Sequence, residues 1–358
     1  MFEDTRTTPQ PMKVVDIRKH PEYSHVLWPL KPSQEGKIAV AKGRGGPFNI
    51  AYEVHGNGSK RLVVRHALQY FIYIWIMGLG GIMQQWQRQT KDFAHRPDSP
   101  YSSLIFDNRG VGQSDKPYMR YSTTEMAQDI VELLDHVGWT QSRELHVIGI
   151  SLGGMIAQEL GLLIPSRIAS LSLISTAPQL VRTLGFFENI LNRINLFIPR
   201  SLDVQLATIK RNCYTAAFLD APDELAAESA VQSFPTNGDR FAALEIQKRS
   251  DLQSFRFQGF AAQAMAAGWH HKTGSQLAAL GDRVGRKRIM VVHGTGDRMV
   301  PFVHGPMLAR GLGLVEEGVV RFVEGQGHVI PIEWRGRFNE WVEEMVARGE
   351  ECNREEGV

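Results

Sequence analysis

Leu145-His146-Val147-Ile148-Gly149-Ile150-Ser151-Leu152-Gly153-Gly154-Met155-Ile156 is the stretch that decides the fold. A short apolar strand runs into Gly-x-Ser-x-Gly, and Leu152, Ile156, Leu160 and Leu163 then recur at helical spacing. A strand that turns directly into a helix forces the serine into a tight, strained bend with Oγ above the sheet. Glycine is needed at 149 and 153, because a Cβ there would collide with the neighbouring strand or helix. The helix N-terminus directs unpaired N–H groups and the positive end of its dipole toward Ser151. These properties suit a nucleophile. A pentapeptide this short also recurs as a plain Gly-rich turn, so the rest of the chain must supply the partners.

Outward from this element, short apolar strands alternate with helical patterns. Lys37–Val40, Asn49–Val54, Ser103–Phe106, Ile168–Ile174, Arg288–Val292 and Val319–Val323 read as strands. Thr123–Val137, with Ser122 or Thr123 as cap, Phe302–Leu312 and Pro331–Ala347 read as helices. This alternation predicts an α/β fold: a doubly wound, mostly parallel sheet covered on both faces. Residues 36–175 and 286–350 form this core. The rhythm breaks over residues 176–285, where helical segments near 180–196, 202–218, 224–234, 240–252 and 257–269 predict an inserted helical cap. Residues 1–35, punctuated by five prolines, read as an extended arm, and the charged residues 351–358 as a frayed tail.

Hydrophobic residues make up 43% and charged residues 22%, enough to bury a sizeable core. A net charge of +2, with both signs dispersed, gives no nucleic-acid surface. The two cysteines, Cys213 and Cys352, form no disulfide framework, and the first residues lack an apolar signal segment; both features point to the cytoplasm. No His/Cys/Asp/Glu set has metal-ligand spacing, and no dinucleotide or P-loop glycine pattern occurs, so no metal or cofactor is expected. Ala67–Met83 is uncharged for 17 residues, at the lower edge of a membrane span. A buried strand followed by a glycine loop accounts for it better, and no stable membrane span is expected.

A nucleophilic serine needs a base, the base an orienting acid, and the oxyanion hydrogen-bond donors. In a doubly wound sheet these groups come from loops at the carboxyl ends of strands. Asp297 follows the strand Arg288–Val292, and His328 follows Val319–Val323. The order Ser151, Asp297, His328 is the one such sheets use. Met77-Gly78-Leu79-Gly80-Gly81 supplies a loop whose Leu79 N–H, with that of Leu152, makes the expected oxyanion pair. Gly78 should then border the substrate. In the helical insertion, Phe257, Met265 and Trp269 are the expected apolar lining.

Together with the Asp107-Asn108-Arg109-Gly110-x-Gly-x-Ser114 turn, these motifs resemble the α/β-hydrolase superfamily over roughly residues 37–350. The branch they most resemble is the cap-bearing serine hydrolases, which includes esterases, aminopeptidases and cofactor-free perhydrolases. Ser151 stands where dehalogenases and epoxide hydrolases carry aspartate. Met77-Gly78 departs from the His-Gly of many members, but backbone donors do not need that histidine. A larger departure is Arg65–Trp75: in the resemblance Val63-Val64 runs almost directly into Ile76-Met77-Gly78. Strand three would then be about sixteen residues long, through either an unspliced in-frame segment or a genuine bulge.

The resemblance implies cleavage of a carboxylic ester of a small or medium apolar molecule through an acyl-enzyme. The same triad serves thioesters, amides, C–C bonds and acyl transfer. A ligand-binding, receptor-like member with little turnover is the non-enzymatic alternative.

Overall fold

The computed structural model describes residues 11–56, 71–97, 99–181, 200–229, 231–251, 253–315 and 318–357. Eight strands form one sheet in the order β1-β2-β4-β3-β5-β6-β7-β8. They are β1 (Gln34–Val40), β2 (Phe48–Gly56), β3 (Phe71–Ile76), β4 (Tyr101–Phe106), β5 (Leu145–Ile150), β6 (Ile168–Ile174), β7 (Ile289–Gly294) and β8 (Val320–Val323). Only β2 runs antiparallel to its neighbours; β4 to β8 are parallel.

Period-two alternation sorts the apolar runs between two cores. Ile72, Ile74, Ile76, Leu145, Val147, Ile289 and Val291 face one core with helices Thr123–His136, Leu152–Leu163, Gly274–Val284 and His304–Leu312. Tyr73, Trp75, Ile148, Ile150, Met290 and Val292 face the other with helices Gln87–Ala94 and Arg335–Glu356. Both faces are covered, so every residue of β4, β5, β6 and β7 is buried.

The third strand differs from expectation. It is six residues long, and Ile74 pairs with Leu104 of β4 and Val147 of β5. Tyr73, Ile74 and Trp75 are fully buried, so residues read as intrusive are the central strand itself. The expected start at Arg61–Val64 lies outside the described residues.

Residues 12–28 are not an extended surface arm. Val14–Lys19 is a helix and Pro21–His25 a 3-10 turn, and Ile17 and Val26 are buried with Leu206, Phe234, Phe241 and Ile246. Buried Arg240 binds Asp223 and Glu22, and Met12 N–H donates to Asp239 Oδ1 at 3.0 Å. The tail is not frayed either. Helix Arg335–Glu356 carries through it because Arg288 donates to Asn353 Oδ1 at 2.7 Å and pairs with Glu356.

Between β6 and β7 the described residues form helices Leu202–Cys213, Ala216–Asp220, Asn237–Ser250, Phe257–Trp269 and Gly274–Val284, without a strand. Most of the expected helix near 180–196 lies outside the described residues, and the described part of 224–234 holds only a 3-10 turn at Ala226–Glu228. Gly274–Val284 buries Leu277, Leu280 and Val284 against the sheet layer, so it packs with the core. No helix among the described residues is long and apolar enough to cross a membrane.

Candidate active site

Ser151 ends β5 and caps helix Leu152–Leu163 with φ +57° and ψ −122°. This is the left-handed side of the backbone map, where a non-glycine residue is strained. The bend is held by Ser151 N–H to Ile174 O at 2.9 Å, and by Thr176 Oγ1 donating to Ser151 O at 2.7 Å. The flanking glycines are sterically required. A Cβ on Gly153 would lie 2.1 Å from Ile76 O of β3, and one on Gly149 2.4 Å from Gly153 O.

The loop after β3 lies against this bend: a Cβ on Gly78 would sit 3.1 Å from Ser151 Cβ. Asn108 Nδ2 donates to Met77 O at 3.0 Å, and Gly81 N–H donates to Gly78 O at 3.2 Å. Among the described residues, neither Leu79 N–H nor Leu152 N–H has a hydrogen-bond partner. Leu152 follows Ser151 directly in the chain, and Leu79 follows Gly78, the residue packed against Ser151.

Asp297 follows β7 and His328 follows β8, and both are buried. His328 Nδ1 lies 2.7 Å from Asp297 Oδ2. Asp297 Oδ1 accepts the N–H groups of Met299 and Val300, each at 2.8 Å. Burial raises this carboxyl's pKa, but His328 and His293 outweigh burial and hold it down at about 2. His293 is a brace: its Nε2 is 2.8 Å from Val300 O and 3.4 Å from Asp297 Oδ2. Ser151 shares this sheet edge, but no hydrogen bond joins it to His328 among the described residues.

The neighbouring turn is structural. Asp107 accepts from Met83 N–H at 2.8 Å and Gln113 N–H at 2.7 Å, and burial raises its pKa to about 6. Arg109 pairs with Asp129 of helix Thr123–His136 at 2.6 Å rather than with Asp107. His304 is buried, with Val181 N–H donating to its Nε2 at 3.0 Å. His270 is held by Thr123 at 2.9 Å, and burial lowers its pKa to about 3.

The expected apolar lining is displaced. Phe257, Met265 and Trp269 are 51%, 39% and 56% exposed and share the outer face of their helix. Arg120 covers the Trp269 ring at 4.4 Å. The inner face carries Gly259, Ala262, Gln263, Ala266 and Ala267, and Phe260 meets the glycine loop beside Phe255. Sequence reasoning missed Gln263, Lys248 and Cys213. The Cys213 carbonyl accepts His328 N–H at 2.9 Å and Val329 N–H at 3.3 Å. Gln263 left a signal: it is the one long polar residue on an otherwise small-residue stripe.

A family model described as alpha/beta hydrolase fold matches residues 74–333, and the chain belongs to that family. A protein of Variovorax paradoxus (strain S110) named "Putative carbamate hydrolase RutD" is 25% identical over 84% of this chain and 96% of its own length. A namesake from Azorhizobium caulinodans is 31% identical over 37% of this chain, but the match spans only 42% of that relative. Among solved structures, a thermophilic esterase from Thermogutta terrifontis has a TM-score of 0.64 at 18% identity. It covers 88% of this chain and 99% of its own.

Proposed function

We propose that this chain is a serine hydrolase that cleaves a carboxylic ester of a small or medium apolar molecule. The observation that carries the reading is the Asp297–His328 hydrogen bond at the sheet edge where Ser151 is held at positive φ. In this reading Ser151 Oγ attacks the carbonyl while His328 Nε2 takes its proton. Asp297 fixes the imidazole tautomer and stabilises its cation. Leu79 and Leu152 N–H groups stabilise the oxyanion, and Leu152 gains from the helix dipole. His328 then protonates the leaving alcohol, and water repeats the sequence to release the acid.

The helices between β6 and Gly274 act as a cap over the site. Phe255 and Phe260 beside Gly80 favour an apolar substrate portion. The carbamate hydrolase name of the relatives supports an activated carbonyl bearing a heteroatom leaving group. Two free, buried cysteines fit a cytoplasmic setting.

Fluorophosphonate labelling of wild type and Ser151→Ala, mapped by mass spectrometry, tests the reading. It requires a label on Ser151 and turnover of short p-nitrophenyl esters that Ser151→Ala abolishes. A folded wild type without label or turnover would overturn it in favour of a ligand-binding protein.

A further inference from the structure

Gly80 is gripped at both polar atoms by side chains from two inserted helices. Its N–H donates to Gln263 Oε1 at 2.9 Å, and its carbonyl accepts from Lys248 Nζ at 3.2 Å. Gln263 is fully buried, and its Nε2 donates to Arg109 O at 2.8 Å. One amide thus ties the loop after β3 to the turn after β4. Lys248 is anchored by Glu245 at 2.7 Å, and Glu245 also holds Arg249 at 2.6 Å. Phe260 closes the remaining side, where a Cβ on Gly80 would lie 2.9 Å from its ring.

Buried hydrogen bonds to loop peptides fix their orientation, because breaking one strands a polar group away from water. Met77 O, Gly78 O, Gly80 N–H and Gly80 O all have partners. Leu79 N–H has none among the described residues. The bonded peptides on either side restrict the orientation of this N–H, and Gly78, next to it in the chain, packs against Ser151.

We infer that Gln263 and Lys248 are positioning residues that aim Leu79 N–H at the oxyanion, so that activity depends on the cap helices being seated. The inference rests on the reading of Leu79 as an oxyanion donor. It assigns the cap a part in the chemistry beyond shaping a pocket.

The test uses Gln263→Leu, Lys248→Met and Gln263→Glu in the full chain. Gln263→Glu keeps an acceptor for Gly80 N–H but loses the donor to Arg109 O. The readouts are kcat and KM on a p-nitrophenyl ester, inhibition by an alkyl boronic acid, and hydrogen exchange across residues 77–81. The expected result is a loss of about 10²-fold in kcat for Gln263→Leu, a smaller loss for Lys248→Met and partial recovery in Gln263→Glu. KM should stay within about twofold, boronate affinity should fall in step with kcat, and exchange should rise. A merely structural role would lower Tm and leave the kcat and boronate affinity of the folded enzyme unchanged; that result overturns the inference. If wild type itself neither labels nor turns over, the hydrolase reading fails separately. Exchange then decides the clamp, and unchanged protection in both Gln263→Leu and Lys248→Met overturns it.

Discussion

His328 Nδ1 and Asp297 Oδ2 are 2.7 Å apart, and the second Asp297 oxygen is fully occupied by the N–H groups of Met299 and Val300. The carboxylate therefore has one orientation available. In Asp297→Asn an amide NH₂ must face either His328 Nδ1 or those two donors. The expected outcome is a loss of about 10⁴-fold in kcat with little change in KM, read from steady-state ester hydrolysis. With its pKa at about 2, Asp297 stays ionised through the assay range. Its contribution to stability is present above the ordinary carboxylate pKa and is lost as pH falls through about 2.

Strain at Ser151 separates two inactive variants. At φ +57° alanine keeps the strain and glycine relieves it. Ser151→Gly should be more stable than Ser151→Ala by about 1 kcal/mol, a Tm difference of about 1–2 °C by calorimetry.

Two glycine-to-alanine changes should have opposite signs. A Cβ at Gly153 meets the backbone of β3, whereas at Gly268 nothing lies within 4 Å. Gly153→Ala should cost more than about 3 kcal/mol or abolish soluble expression, because neither backbone can yield. Gly268→Ala, inside helix Phe257–Trp269, should gain up to about 1 kcal/mol in urea unfolding.

Asp107 makes stability fall with rising pH. Burial raises its pKa in the folded protein to about 6, so its contribution is full below the ordinary carboxylate pKa. That contribution is lost as pH rises through about 6. The urea midpoint of wild type should drop between pH 4 and pH 7 by more than that of Asp107→Asn, which cannot titrate. Equal drops would rule Asp107 out as the source.

Local pattern made much of this legible. Ile168–Ile174 and Phe257–Trp269 coincide with the observed elements, because apolar runs bounded by turns fix their own limits. The strand ends carrying Ser151, Asp297 and His328 were readable for the same reason. Phe71–Trp75 was not, since an unbroken apolar run has no period to announce which residues fill the slot between β4 and β5. Residue type alone points to an aromatic and methionine lining, but helix geometry turns Phe257, Met265 and Trp269 outward and the small residues inward. Lys248 and Asn353 were invisible because their partners are distant in sequence, and Gln263 showed only as a lone polar residue among small ones.

Met12 and Asp239, joined by a hydrogen bond, are 227 positions apart, and Glu22 and Arg240 are 218 apart. At ribosomal speeds, roughly 10–45 s separate the synthesis of the two ends of each pair. Ile17 and Val26 emerge with nothing to cover them and wait for a helix still to be translated. During that interval Glu22 is a solvated carboxylate, and it becomes a buried one only when Arg240 arrives. Residues 12–28 thus cannot close over helix Asn237–Ser250 until β1 to β6 have been translated, and they meet it while β7 and β8 are still to come.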